Sequence, residues 1–142
     1  ELSKYARREE PLIPPSPVDW AKLQQELGVS LPSDFIDFYN QATAYYFGDG
    51  SLPSLFGKGS SYIDWLELRD RAIRMENMPR HLLPFCDVGN GDYHCFDLRS
   101  TGKDYPVVYW YHDLDAKRQA TEPNVVAGCF AEWLTKYGND DI

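Results

Sequence analysis

The chain has 142 residues, 43% hydrophobic and 15% aromatic, which is one domain's worth of core-forming material and argues against disorder or a repeat array. At this size roughly 68% of the unfolded surface leaves water on folding, so no metal or disulfide staple is needed for a core. A formal net charge of -8, from 22 acidic against 14 basic residues, repels phosphates and argues against direct nucleic-acid binding.

Residues 1–17 join a charged stretch, Lys4 to Glu10, to Pro11, Pro14, Pro15 and Pro17, a composition that favours extended backbone. They read as an arm or linker before a domain spanning 18–142. Ser16, Pro17 and Asp19 form a capping-box-like start for a first helix ending near Leu27. Trp20, Leu23 and Leu27 share its buried face, and Gly28 ends it. Pro32 and Asp34 suit the first turn of a second helix with an inward stripe of Phe35, Phe38, Tyr39 and Ala42. Ala44–Phe47 and Leu52–Phe56, around Asp49-Gly50, predict a hairpin. A third helix, capped by Ser60 or Ser61, runs to about Met75 with Ile63, Leu66, Ile73 and Trp65 facing inward.

Leu82–Cys86, Tyr93–Leu98 and Pro106–His112, separated by Gly-rich turns, predict an antiparallel meander. Alternation of His94, Phe96 and Leu98 with Tyr93, Cys95 and Asp97 predicts one face on the helices and the other toward water or a partner. Asn124 is expected to cap a last helix, Val125 to Tyr137, with Phe130, Trp133, Leu134 and Tyr137 inward and Gly138 as its stop. The sum is a single α+β domain, a mainly antiparallel sheet of hairpin and meander packed with about four helices. No apolar run approaches the ~20 residues that span a bilayer, so no membrane partner is expected.

Cys86, Cys95 and Cys129 are odd in number and widely spaced, which suits a reducing cytoplasm better than a disulfide framework or a zinc site. With His81, His94 or His112 as base and Asp97 or Asp113 as orienter they permit a Cys-His hydrolase reading, but Cys86 and Cys95 sit among strand hydrophobics as structural thiols do. Asp87, Asn90, Asp92 and Asp97 offer oxygen ligands without calcium-loop spacing, and Gly89-Asn90-Gly91 is too short for a phosphate cradle. That segment reads as a tight turn whose glycines supply positive φ and whose Asp caps local amides. No metal, cofactor or catalytic residue is expected.

Charge distribution is more informative. Six aspartates against Arg99 and Lys103 place half the net charge between Asp87 and Asp115, interleaved with Tyr93, Tyr105, Tyr109, Trp110 and Tyr111. Acidic groups among aromatic anchors suit a basic protein partner. Asp87, Asp92, Tyr93, Asp97, Tyr111, Asp113 and Asp115 are the candidate partner-binding residues.

The run Trp20-x-x-Leu23-x-x-x-Leu27-Gly28-x-x-Leu31-Pro32-x-x-Phe35-x-x-Phe38-Tyr39 resembles the amino-terminal signature of the SUKH superfamily (Smi/Knr-type). Leu83-Pro84-Phe85-Cys86-Asp87-x-Gly89-x-Gly91-Asp92 is similar to that family's strand and Gly-Asp turn, and Phe130-x-x-Trp133-Leu134 to its closing helix. The second helix departs from the pattern, with Gln41 rather than glycine after Asn40. The resemblance implies a non-enzymatic bacterial immunity protein that binds and neutralises a cognate toxin, often a basic nuclease or deaminase domain. Eukaryotic relatives imply an alternative, an intracellular regulatory or scaffold domain of the same fold. The chain opens at Glu1 without methionine, as a piece of a longer polypeptide would.

Overall fold

The computed structural model describes residues 7, 9, 14–42, 62–88, 90–100 and 104–138. The chain divides into two compact units, Glu1–Leu68 and Arg69–Ile142. In the first, α1 (Pro17–Leu27) begins with the expected capping box: Ser16 Oγ accepts from the Asp19 N–H at 3.1 Å, and Asp19 Oδ2 accepts from the Ser16 N–H at 3.0 Å. Gly28 takes the left-handed conformation, φ 71°, and its N–H closes onto the Gln24 carbonyl. The Gln24 side chain then accepts from the Leu31 N–H at 2.8 Å and so fixes the connection into α2 (Ser33–Ala42).

The aromatic stripe is buried as its spacing requires. Trp20 meets Phe35 and Tyr39 edge-on at 6.3 and 5.7 Å and donates its indole N–H to Asn40 Oδ1 at 3.1 Å, while Phe35 lies 5.8 Å from Trp65. Trp65 belongs to α3 (Tyr62–Glu76), which crosses into the second unit. The inward positions of α3 differ from expectation. Trp65 and Ala72, two turns apart, are buried, whereas Leu66 and Ile73 are half-buried on the flank of that stripe. The indole is larger than either aliphatic chain and takes the fully dry position. The side chain of Ile63, the expected cap at Ser60 or Ser61 and the expected hairpin over 44–56 lie outside the described residues.

The second unit is a meander of β1 (Leu82–Asp87), β2 (Tyr93–Asp97) and β3 (Val107–Trp110), extended by β4 (Asn124–Ala127) in the order β1-β2-β3-β4, all antiparallel. Helix α4 (Ala116–Thr121) bridges β3 and β4, and α5 (Phe130–Gly138) closes the chain. The register shifts between Pro84 and Cys86, which makes Phe85 the extra residue of a bulge, a place in a strand where Pro84 is tolerated. Phe85 stacks on Phe96 at 4.3 Å and meets Trp133 edge-on at 4.9 Å. This is the core of the second unit, and the α+β class holds. The expectation that one face of β2 meets water does not, because all five of its residues are buried.

A second correction concerns Asn124–Ala127, which is a strand rather than the first turn of the last helix. Val125 and Val126 are β-branched and gain more by extending the sheet. The helix starts after Gly128 and Cys129, with Glu132 Oε2 accepting from the Gly128 N–H at 2.8 Å. Phe130 and Trp133 remain buried.

Among the described residues β4 is an edge strand, and α5 closes that edge. Val107 faces Ala127 and Val108 faces Val125, so Val126 bulges, and its carbonyl accepts from Lys136 Nζ at 2.9 Å. Lys136 is also held by Glu132 at 3.1 Å. Bulges and lysines at an edge block pairing with another strand. Lys136→Met is expected to shift the protein toward larger species in sedimentation velocity, and a profile identical to the wild type's would contradict this role. No helix among the described residues is long and apolar enough to cross a membrane.

Candidate binding surface at the turn between β3 and α4

Gly91, with φ 98°, makes the β1–β2 turn close enough that a Cβ there would sit 3.0 Å from the His112 ring. Asn90 Oδ1 accepts from the Asp92 N–H at 3.0 Å, and the turn delivers the buried Asp92 carboxylate to the far end of β3. Asp92 Oδ1 accepts from the His112 N–H at 2.9 Å and meets His112 Nδ1 at 2.7 Å, while Oδ2 accepts from the Tyr109 hydroxyl at 2.9 Å. Burial opposes the charge of Asp92, but the backbone and ring of His112 and the Tyr109 hydroxyl outweigh it and hold the carboxyl below its usual range. Asp92 is therefore ionised at neutral pH, and His112 Nδ1 carries the proton. The hydrogen bond that His112 donates to Asp92 in turn raises the His112 pKa, and burial together with Asp92 pushes Tyr109 up to about 12.

Two further braces fix the segment from the end of β3 into α4. Gln119 Oε1 accepts from the Tyr111 N–H at 2.9 Å, and its Nε2 donates to the Tyr111 carbonyl at 2.8 Å, so a side-chain amide continues the strand pairing where β3 ends. Arg99 grips Asp97 through Nε and Nη2 at 3.0 and 2.8 Å and gives Nη1 to the Ala120 carbonyl at 3.0 Å, which anchors the end of α4. Asp115 caps the start of α4 by accepting from the Lys117 N–H at 2.9 Å.

The candidate residues therefore separate. Asp92, Tyr93 and Asp97 are buried, and both carboxylates are neutralised internally, so the acidic face expected of them is not displayed. Asp92 and Asp97 spend their charge on His112, Tyr109 and Arg99, and so brace the segment from β3 into α4. Asp87 ends β1, and its side chain lies outside the described residues. Tyr111, half-buried, and Asp113 and Asp115, both exposed, come together at the turn into α4. There Tyr111, Leu114 and Asn124 line a groove of about 340 Å³ with Asp115, Arg118, Gln119 and Glu122. Leu114 is 53% exposed, and Tyr111 lies 4.6 Å from the Tyr109 ring. Sequence reasoning missed Gln119 and Arg118, because no strand or turn signal marks a side chain that pairs with a strand end.

Asp92, His112 and Asp113 bring three ligand atoms within 4.8 Å of one another. Asp92 Oδ1 already serves two N–H groups of His112 and Oδ2 the Tyr109 hydroxyl, so a cation would have to displace the ring proton. The arrangement is a hydrogen-bonded brace. Burial and the neighbouring Cys86 push the Cys95 thiol well up, the reverse of what a nucleophile needs, and Cys86 is buried as well.

No curated protein matches the chain in sequence. The model of the SMI1 / KNR4 family (SUKH-1) matches residues 14–136, which takes in both capped helices, the meander and most of α5, and the chain belongs to that family.

Proposed function

We propose that the chain is an immunity protein of a polymorphic toxin system, which neutralises a basic nuclease- or deaminase-type toxin domain in the cytoplasm by binding it, without chemistry of its own. The observation that carries this reading is the exposed pair Asp113 and Asp115 beside Tyr111, held on a rigid turn in a family member of net charge -8. Opposed charge speeds encounter with a cationic domain, and an aromatic anchor supplies contact area once water is excluded. Three cysteines, an odd number with Cys86 and Cys95 buried, suit a reducing compartment.

The test is coexpression with the toxin domain encoded beside this chain's gene. Protection of the cells and co-purification of the pair are expected, with affinity falling as salt is raised. Replacing Asp113 and Asp115 together by asparagine is expected to weaken binding about tenfold, roughly 1.4 kcal/mol, at unchanged stability. A harmless neighbour, or a toxin that still kills in the presence of this chain, would overturn the reading.

A further inference from the structure

We infer that the groove beside α4 is a socket for one arginine side chain of the partner, and that Arg118 is the placeholder that side chain displaces. The inference rests on the partner-binding reading above and goes beyond it in naming the chemistry recognised. At about 340 Å³ the groove stands at the small end of ligand-sized pockets, roughly 300–1,000 Å³, which suits one long side chain rather than a helix.

Its polar groups narrow the occupant further. Gln119 has both ends of its amide committed to the backbone of Tyr111 and Leu114 and offers nothing to a ligand. Asp115 spends Oδ1 on the cap of α4, and Asn124 Nδ2 donates to the Tyr111 hydroxyl at 3.2 Å, which leaves Asp115 Oδ2, the Glu122 carboxylate and Asn124 Oδ1 as the acceptors. Tyr111 and Leu114 supply an aromatic ring and an aliphatic wall for the stem. A guanidinium matches that set, because it is planar, stacks on an aromatic ring and presents paired N–H groups to a carboxylate.

Arg118 already brings a guanidinium to this groove, and it is loosely held. Its Nε lies 3.6 Å from Glu122 Oε2, beyond hydrogen-bonding distance, and the two side chains are 78% and 72% exposed. An exposed pair of this kind contributes little, so a partner arginine with better geometry displaces it at small cost.

The test is titration of the whole chain with a hexa-arginine peptide, followed by backbone and side-chain amide shifts in NMR. The largest shifts are expected at Tyr111, Gln119 and Asn124. Asp115→Asn, which keeps the capping oxygen and removes the charge, is expected to weaken binding at least threefold. Arg118→Gln is expected to tighten it two- to fivefold. Arg74→Gln removes the same charge from another exposed pair, with Asp70 at 2.8 Å, and is expected to tighten binding by less than half as much. Shifts scattered over the acidic surface, or equal effects of Arg118→Gln and Arg74→Gln, overturn the socket. The peptide experiment does not involve the toxin. Failure here with protection intact removes the socket alone, and a confirmed socket beside a harmless neighbouring gene product removes the immunity reading alone.

Discussion

Asp92→Ala is expected to lower stability by about 3 kcal/mol, a large share of the roughly 5–15 kcal/mol that holds a domain of this kind. The carboxylate accepts from the His112 N–H, the His112 ring and the Tyr109 hydroxyl, all within 2.9 Å. Hydrogen bonds to an ionised acceptor contribute about 1.5–3 kcal/mol each when they are shielded from water, and alanine leaves the donors behind. The His112 ring is exposed, so most of the loss falls on its backbone N–H and on Tyr109. Urea unfolding should show a lower midpoint at an unchanged slope. Gly91→Ala should act in the same direction, because its φ of 98° strains any side chain and the new Cβ would meet the His112 ring at 3.0 Å. Asp113→Asn, at an exposed position, should change stability by no more than about 0.5 kcal/mol. Equal costs at Asp92 and Asp113 would contradict the separation of framework from surface.

The same separation marks where the sequence was readable. Local chemistry was: the capping box at Ser16, the left-handed Gly28 and the inward stripe from Phe35 to Ala42 follow from spacing and side-chain type alone. The meander was legible from its Gly-rich turns and the apolar and aromatic runs between them. What escaped was decided at longer range. The Gly-Asn-Gly-Asp segment reads correctly as a tight turn, yet the amide that Asp92 caps belongs to His112, twenty positions on. Asp97 stands two residues before Arg99, a spacing that puts both on one side of an extended chain, but only the fold brings the Ala120 carbonyl to the guanidinium. Asp115 counted in sequence as one more surface charge, although Asp before a run of helix formers is also a cap, and α4 starts there. Val125 and Val126 were read as the first turn of the last helix, and the open edge of β3 decided for strand. Clustered acidic residues thus carried two signals at once, an internal brace and an exposed face, which differ in burial rather than in type.

His94 gives the other large effect, a loss of stability in mild acid. It is 3% exposed, ringed edge-on by Tyr109 at 5.1 Å, Trp133 at 5.3 Å and Tyr137 at 6.4 Å, and its Nδ1 finds no hydrogen-bond partner among the described residues. Burial lowers its pKa from 6.5 to about 4. The unfolded chain therefore binds this proton more readily than the folded one. Stability is full above pH 6.5, falls as pH drops toward 4, and levels off below that, with a total of about 3 kcal/mol from this residue. His81, also lowered by burial and by Arg99, acts in the same direction. Asp92 and Asp97 are held low and lose their contribution only below the ordinary carboxylate range, while His112, held high, loses its own as pH rises above 6.5. The window from 6.5 to 4 is thus the one in which the two lowered histidines act, and His94→Phe isolates the share of His94. Any packing penalty of the larger ring is the same at every pH and cancels from the slope. Urea midpoints measured from pH 7.5 to 4 should decline less steeply in the variant, by about 3 kcal/mol across the window. Parallel declines in the two proteins would show that His94 is protonated in the fold at little cost.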